Sequence, residues 1–283
     1  MPKAGLNDVL PLLQSRQACL PAFDIAGGQP DFLLGVLGAC EAARCPALLL
    51  VYAPAANYLG LETCADLVNS VARRAAVPVL LHLDHGQSEE LAQQALDLGF
   101  TSVMFDGSAL PLEENIRRAR EVARMGHARG VLVEAELGRL GEEQTEGEGS
   151  AGLTHPDDAA RFVRETGIDL LAPAVGNAHG FYTKPPKIRF DLIQEIAAKA
   201  GIPLSLHGGT GIPAEDIRKA ASLGVRKLNI ATQLHKTFGD ALKAAAEPSE
   251  KRFSWWKALA AGRTAIKDRV ADYIRDLGAE GLV

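Results

Sequence analysis

Eight times along the chain a short apolar run ends in a polar residue, breaks at a turn and gives way to a segment with helical spacing. The apolar runs fall at 20–25, 47–53, 77–86, 102–105, 130–137, 169–175, 203–206 and 226–230. Helical periodicity covers 6–17, 31–44, 61–75, 88–98, 112–129, 191–200 and 213–223 and fills the C-terminal remainder, including 258–277; one more helix opens at Thr154-His155-Pro156-Asp157 and runs to 166. Near-continuous hydrophobic strands separated by helices belong to a parallel sheet covered on both faces. Eight such units in 283 residues predict an α/β fold, a (β/α)8 TIM barrel, with 1–283 as one domain. An open doubly wound sheet shares the local rhythm. The strand ends favour the barrel, because Asp24, Tyr52, Asp84 with His85, Asp106, Glu136, His179, His207 and Asn229 would all converge on one mouth.

A chain of this length buries enough surface to need no metal or disulfide for its core, so any metal here is expected to be catalytic. Charges are interspersed, with a net charge of −5, which excludes nucleic acid and an anionic membrane as principal partners. Cys19, Cys40, Cys45 and Cys64 form no CxxC pair and read as small buried hydrophobes of a reducing compartment, with Cys40 and Cys45 as the redox-sensitive candidates. No apolar run approaches the ~20 residues that span a bilayer. The expectation is a cytoplasmic protein.

Three of the seven histidines share one grammar, His85-Gly86, His179-Gly180 and His207-Gly208, each just beyond an apolar strand. Three imidazoles with an open fourth position describe a catalytic zinc site. Asp84 beside them is read as a proton-transfer group, or else as a carboxylate orienting a neighbouring histidine; His82 is placed behind the ligands. The glycine-rich turn His207-Gly208-Gly209-Thr210-Gly211 and the strand end Asn229-Ile230-Ala231-Thr232 offer backbone N–H groups for a phosphate. Residues 139–153, rich in Gly and Glu, form the one long loop without an element of its own and are expected to act as a lid.

His-Leu-Asp-His-Gly, Val-Glu-Ala-Glu-Leu-Gly, Gly-Asn-Ala-His-Gly, Leu-His-Gly-Gly-Thr-Gly and Leu-Asn-Ile-Ala-Thr occur in this order, and together they resemble the class II, zinc-dependent fructose-bisphosphate and tagatose-bisphosphate aldolases. The resemblance implies a lyase that splits a phosphorylated ketose to dihydroxyacetone phosphate and an aldehyde. It implies Zn2+ on His85, His179 and His207, with Glu136 and Asp106 near an alternative metal position, and Asp84 as the base at the C4 hydroxyl. It assigns the phosphate to Gly180, Gly208, Gly209, Thr210, Asn229, Ile230, Ala231 and Thr232, with Na+ or K+ alongside. Relatives of this shorter type form homodimers or homotetramers, for which Trp255-Trp256 and the C-terminal helix are candidate contacts.

Three positions depart from the family pattern. The loop glutamate falls on Gln144, which moves the acid/base expectation to Glu142 or Glu143. Tyr52 replaces a phosphate-binding Ser, and Ser254-Trp255-Trp256 replaces an Asp-Pro-Arg whose Arg reaches the phosphate of the aldehyde half. With Asp24 where the family commonly has Asn, these changes predict that Asp24, Tyr52 and Trp256 line an acceptor end suited to a non-phosphorylated aldehyde, unless Arg252 or Arg263 serves instead. The other readings are a fructose- or tagatose-bisphosphate aldolase of ordinary specificity, a non-catalytic aldolase-like partner subunit, and a metal-dependent hydrolase barrel, which lacks its expected HxH pair.

Overall fold

The computed structural model describes residues 5–25, 29–139, 152–246 and 254–283. Eight strands, β1 (Leu20–Asp24), β2 (Ala47–Tyr52), β3 (Val79–Gly86), β4 (Ser102–Phe105), β5 (Leu132–Leu137), β6 (Leu170–Pro173), β7 (Leu204–Leu206) and β8 (Val225–Ile230), pair in parallel in chain order. The barrel closes where β8 pairs β1, with Leu20 opposite Lys227 and Phe23 opposite Ile230. Closure excludes the open sheet.

The described helices are α1 (Leu6–Arg16), α2 (Pro30–Ala43), α3 (Ala53–Leu59), α4 (Leu61–Ala72), α5 (Glu89–Asp97), α6 (Leu112–His127), α7 (Pro156–Thr166), α8 (Phe190–Ala200), α9 (Ala214–Ser222), α10 (Thr232–Ala246) and α11 (Trp255–Asp276). Local signals set several of their ends. Ser88 caps α5 by accepting from Leu91 N at 3.1 Å, and Pro156 opens α7, where a missing N–H costs nothing. The sequence reading missed α3, which Pro54 starts directly at the end of β2. It also began α11 three residues late and carried β6 two residues past its end.

The strands are buried on both faces except at Tyr52, as a helix-covered parallel barrel requires. The four cysteines are buried and none forms a disulfide. Burial pushes the Cys19 thiol up to about 12, and the contact with Cys45 together with burial raises Cys40, so neither is a thiolate at neutral pH. Among the described residues no helix is long and apolar enough to cross a membrane.

Candidate active site

Alternation along β3 turns His82 and Asp84 inward and would send His85 outward into the helix layer. It does not, because His85 adopts φ +52° at a register break between β3 and β4, and this re-aims its ring over the mouth. A non-glycine residue held at positive φ is strained, and such strain concentrates at functional sites. His207 follows β7 directly. His179 arrives on the loop after β6, which Asn177 braces by accepting from Val175 N at 2.9 Å and donating to the His207 carbonyl at 3.0 Å.

The three rings meet. Centroids lie 4.8 Å apart for His85 and His207, 5.2 Å for His85 and His179, and 6.4 Å for His179 and His207. One ring nitrogen from each lies within 4.8 Å of the others. The opposite nitrogens are committed: His85 Nδ1 donates to Asp106 at 2.7 Å, and His207 Nε2 donates to Glu134 at 2.8 Å. These bonds leave His85 Nε2 and His207 Nδ1 facing each other at 3.1 Å.

Two imidazole lone pairs so placed need a proton or a cation between them. In the metal-free protein a proton fills that role. Burial opposes a charge on His85, but Asp84, Asp106 and Glu136 together carry its pKa up to about 9. Once that proton leaves, the nitrogen spacing is close to the roughly 3.3 Å separating two ligands of a tetrahedral zinc with bonds of about 2.0–2.1 Å. Burial and the charge of His85 lower His179 to about 4, so its ring is neutral and able to bind at pH 7. Glu136 supports the same fit: its buried Oε2 has no hydrogen-bond partner, 3.7 Å from both His85 and His207. His85, Asp106 and Glu136 form a second metal-competent group.

Asp84, not Asp106, faces the cavity. Its Oδ1 accepts from Asn229 Nδ2 at 2.8 Å, and it lines the cavity. Burial opposes its ionisation, yet His85, His207 and Lys227 hold its carboxyl below the ordinary value, so it is a carboxylate. Asp106 fills the orienting role considered for Asp84, fixed in turn by Ser108 N at 3.1 Å and Ser108 Oγ at 2.6 Å. His82 lies deeper, on Ser102 and near Glu134, away from the ligand nitrogens.

A cavity at the mouth is lined by Asp24, Tyr52, Asp84, His85, His179, Gly180, Gly208, Gly209, Thr210, Asn229, Ala231 and Thr232, which were expected from the sequence, and by Leu50 and His235, which were not. Tyr182 Oη ties its two glycine loops together, accepting from Ala178 N at 2.9 Å and donating to Gly208 O at 3.1 Å. Gly209 contributes space rather than a donor, since its N–H is taken by Asn229 O at 3.0 Å. Ile230 is fully buried in the core and does not line the cavity.

Trp256 is a correction. It stands 71% exposed in the first turn of α11, whose packed face is Ala258, Gly262 and Ile266, and it does not reach the cavity. Arg263, the alternative cation, is bound to Asp31 at 2.8 Å. The sequence reading overlooked His235, which lines the cavity from α10 with Nε2 3.3 Å from Asp24 Oδ1. A lone histidine inside an ordinary helical pattern carried no signal. Glu142, Glu143, Gln144 and Arg252 lie outside the described residues.

A closed barrel with imidazoles and carboxylates gathered at the C-terminal ends of its strands defines a barrel enzyme with a metal-competent centre. The family described as fructose-bisphosphate aldolase class-II matches residues 5–282. A fructose-bisphosphate aldolase of Geobacillus stearothermophilus is 42% identical over 256 residues, covering 89% of each chain. A probable fructose-bisphosphate aldolase of Bacillus subtilis is 37% identical over 286 residues, covering 99% of each. The crystal structure of the YdjI aldolase from Escherichia coli K12 superposes with a TM-score of 0.87 at 33% identity, covering 98% of each chain. The chain belongs to the class II fructose-bisphosphate aldolase family, and it is therefore a lyase of a family that is generally metal-dependent.

Proposed function

We propose that this chain is a zinc-dependent aldolase that cleaves a ketose 1-phosphate to dihydroxyacetone phosphate and an aldehyde that carries no phosphate. The observation that carries the metal and the chemistry is the convergence of His85, His179 and His207 beside an ionised Asp84. When bound there, zinc supplies Lewis-acid stabilisation of the negative charge that develops on the dihydroxyacetone half. Asp84, steadied by Asn229, takes the proton of the C4 hydroxyl. The C3–C4 bond then breaks, its electron pair stays with C3, and C4 leaves as the aldehyde carbonyl. A carboxylate of the 139–153 loop, Glu142 or Glu143, returns a proton to C3. The phosphate rests against the backbone of Gly180, Gly208, Thr210, Asn229, Ala231 and Thr232 at the start of α10, where the helix dipole favours an anion, with Na+ or K+ beside it, and Gly209 leaves it room.

The altered acceptor is supported by the opposite wall. Among the described residues no Lys or Arg lines the cavity, whereas Asp24, His235 and Tyr52 do. A second phosphate would meet a carboxylate there in place of a charge-assisted donor. The names of the relatives favour the other reading, ordinary bisphosphate specificity. Zinc-loaded protein incubated with fructose 1,6-bisphosphate, tagatose 1,6-bisphosphate and a panel of ketose 1-phosphates separates them. Cleavage of the monophosphates with higher kcat/KM is expected; fast cleavage of a bisphosphate alone would sink the proposed acceptor. Zinc bound per chain and solvent exchange of the dihydroxyacetone phosphate C3 proton test the non-catalytic reading in the same preparations.

The same reading takes residues 1–283 as one cytoplasmic domain assembled into homodimers or homotetramers. The exposed rings of Tyr58, Trp255 and Trp256 are apolar surface of the kind that subunit contacts cover.

A further inference from the structure

Barrel interiors are normally filled by packed aliphatic side chains. Below the mouth this one is polar. Lys227 Nζ lies 2.8 Å from Glu134 Oε2 and 3.4 Å from Ser205 Oγ. Glu134 Oε1 accepts from His207 Nε2 at 2.8 Å, while His82 Nε2 stands 3.6 Å from Glu134 Oε2 and His82 Nδ1 reaches Ser102 at 2.8 Å. His82, Ser102, Glu134, Ser205 and Lys227 are each at most 2% exposed, and none lines the cavity.

Stability does not account for the pair. Taking two charges out of water costs about as much as their attraction returns, and apolar replacements of a buried pair are often neutral or stabilising. A direct substrate role is excluded by depth. What remains is the contact that Lys227 makes through Glu134 with a ligand histidine.

We propose that Lys227 is a positioning residue for the metal centre: by holding one oxygen of Glu134, it aims the other at His207 Nε2 and so presents His207 Nδ1 to the metal. An ammonium offers donors only, so the carboxylate that pairs with it serves His207 purely as an acceptor. The Nε2 nitrogen must then carry the hydrogen, and Nδ1 keeps its lone pair beside His85 and His179. Without the lysine, Glu134 Oε2 loses its partner and the carboxylate is free to swing toward His82, withdrawing from His207. The proposal rests on reading the three histidines as metal ligands.

Two variants test it, Lys227→Met and the charge-free double Lys227→Met/Glu134→Gln, whose amide can present either an acceptor or a donor to His207. Three quantities are measured: the zinc dissociation constant by chelator competition, the His207 tautomer in the metal-free protein by 15N–1H correlation spectroscopy, and the thermal midpoint. The double variant is expected to keep the wild-type midpoint or exceed it, to show His207 in mixed tautomers and to bind zinc about 10–100-fold more weakly, the range for loss of a partner behind a ligand. Should Lys227→Met fail to fold, the double variant decides. A folded variant that binds zinc as tightly as the wild type, with His207 still in its Nε2–H form, overturns the proposal even if its midpoint falls. A wild-type protein that binds no divalent cation overturns the metal reading and this inference with it.

Discussion

Asp84 and His85 are neighbours in sequence that face different partners, and the separation is made by one backbone angle. Asp84 follows the strand alternation into the cavity; His85 departs from it at φ +52° and meets Asp106. Asp84→Asn keeps the shape and the Asn229 contact but removes the proposed base. Turnover should fall by about 10²–10⁴-fold, the usual worth of a positioned proton acceptor, while bound zinc per chain stays at the wild-type level. Unchanged turnover would move the base elsewhere. At this scale the three histidines that converge could be read from the chain, because three His-Gly pairs follow three apolar runs. Lys227 and Glu134 could not be given a role. A charged residue in a strand reads as solvent-facing unless its partner across the barrel is known, and each is the other's explanation.

At the scale of elements, the loop after β7 is held by contacts that leave no room for a side chain. Gly208 sits at φ +65°, and a Cβ there would collide with Ala178 O in the loop that carries His179. Gly208→Ala therefore has to push the two glycine loops apart, on top of the cost of positive φ. We expect a rise in KM for the phosphorylated substrate of at least tenfold and weaker zinc binding, with the far-UV circular dichroism unchanged; wild-type KM would show that the loops tolerate separation. The junction of β2 with α3 was misread for a related reason. Pro54 reads locally as a chain breaker after a strand, whereas in the fold it opens a helix for which Tyr52 is the N-cap residue. Tyr52 is thereby held at the mouth, its ring edge-on to His85 with centroids 5.8 Å apart.

For the molecule as a whole, the cluster at the mouth links stability to pH and to metal. Burial and Lys227 lower His82 to about 3, burial and His85 lower His179 to about 4, and burial lowers His207 despite its bond to Glu134. An unfolded chain protonates these rings near pH 6.5 while the folded chain resists, so their contribution is whole above 6.5 and is lost as pH falls toward 4. Glu136, raised by burial and Asp106 to about 8, takes up its proton first in the folded state and offsets one of the three. His85 is protonated in both states below 6. The metal-free protein should therefore lose stability between pH 6 and 4, on the order of 1–3 kcal/mol per pH unit. Zinc at pH 7 should raise the thermal midpoint, adding about 2.7 kcal/mol at a hundredfold excess over its dissociation constant. Calorimetry with and without a chelator measures both; a midpoint indifferent to zinc would contradict the metal centre.

The eight apolar runs, their polar ends and the repeated His-Gly pairs are local spacings, and they alone determined the repeated strand-helix units of a parallel α/β fold, the face that carries the site and the three imidazoles. Closure through β8 and β1, the nitrogen each imidazole presents, the arrival of His235 at Asp24 and the exclusion of Trp256 were decided only by the tertiary structure. Each of these depends on atoms brought together from distant parts of the chain. His207 and Glu134 are 73 positions apart, and no periodicity in either segment records that they meet.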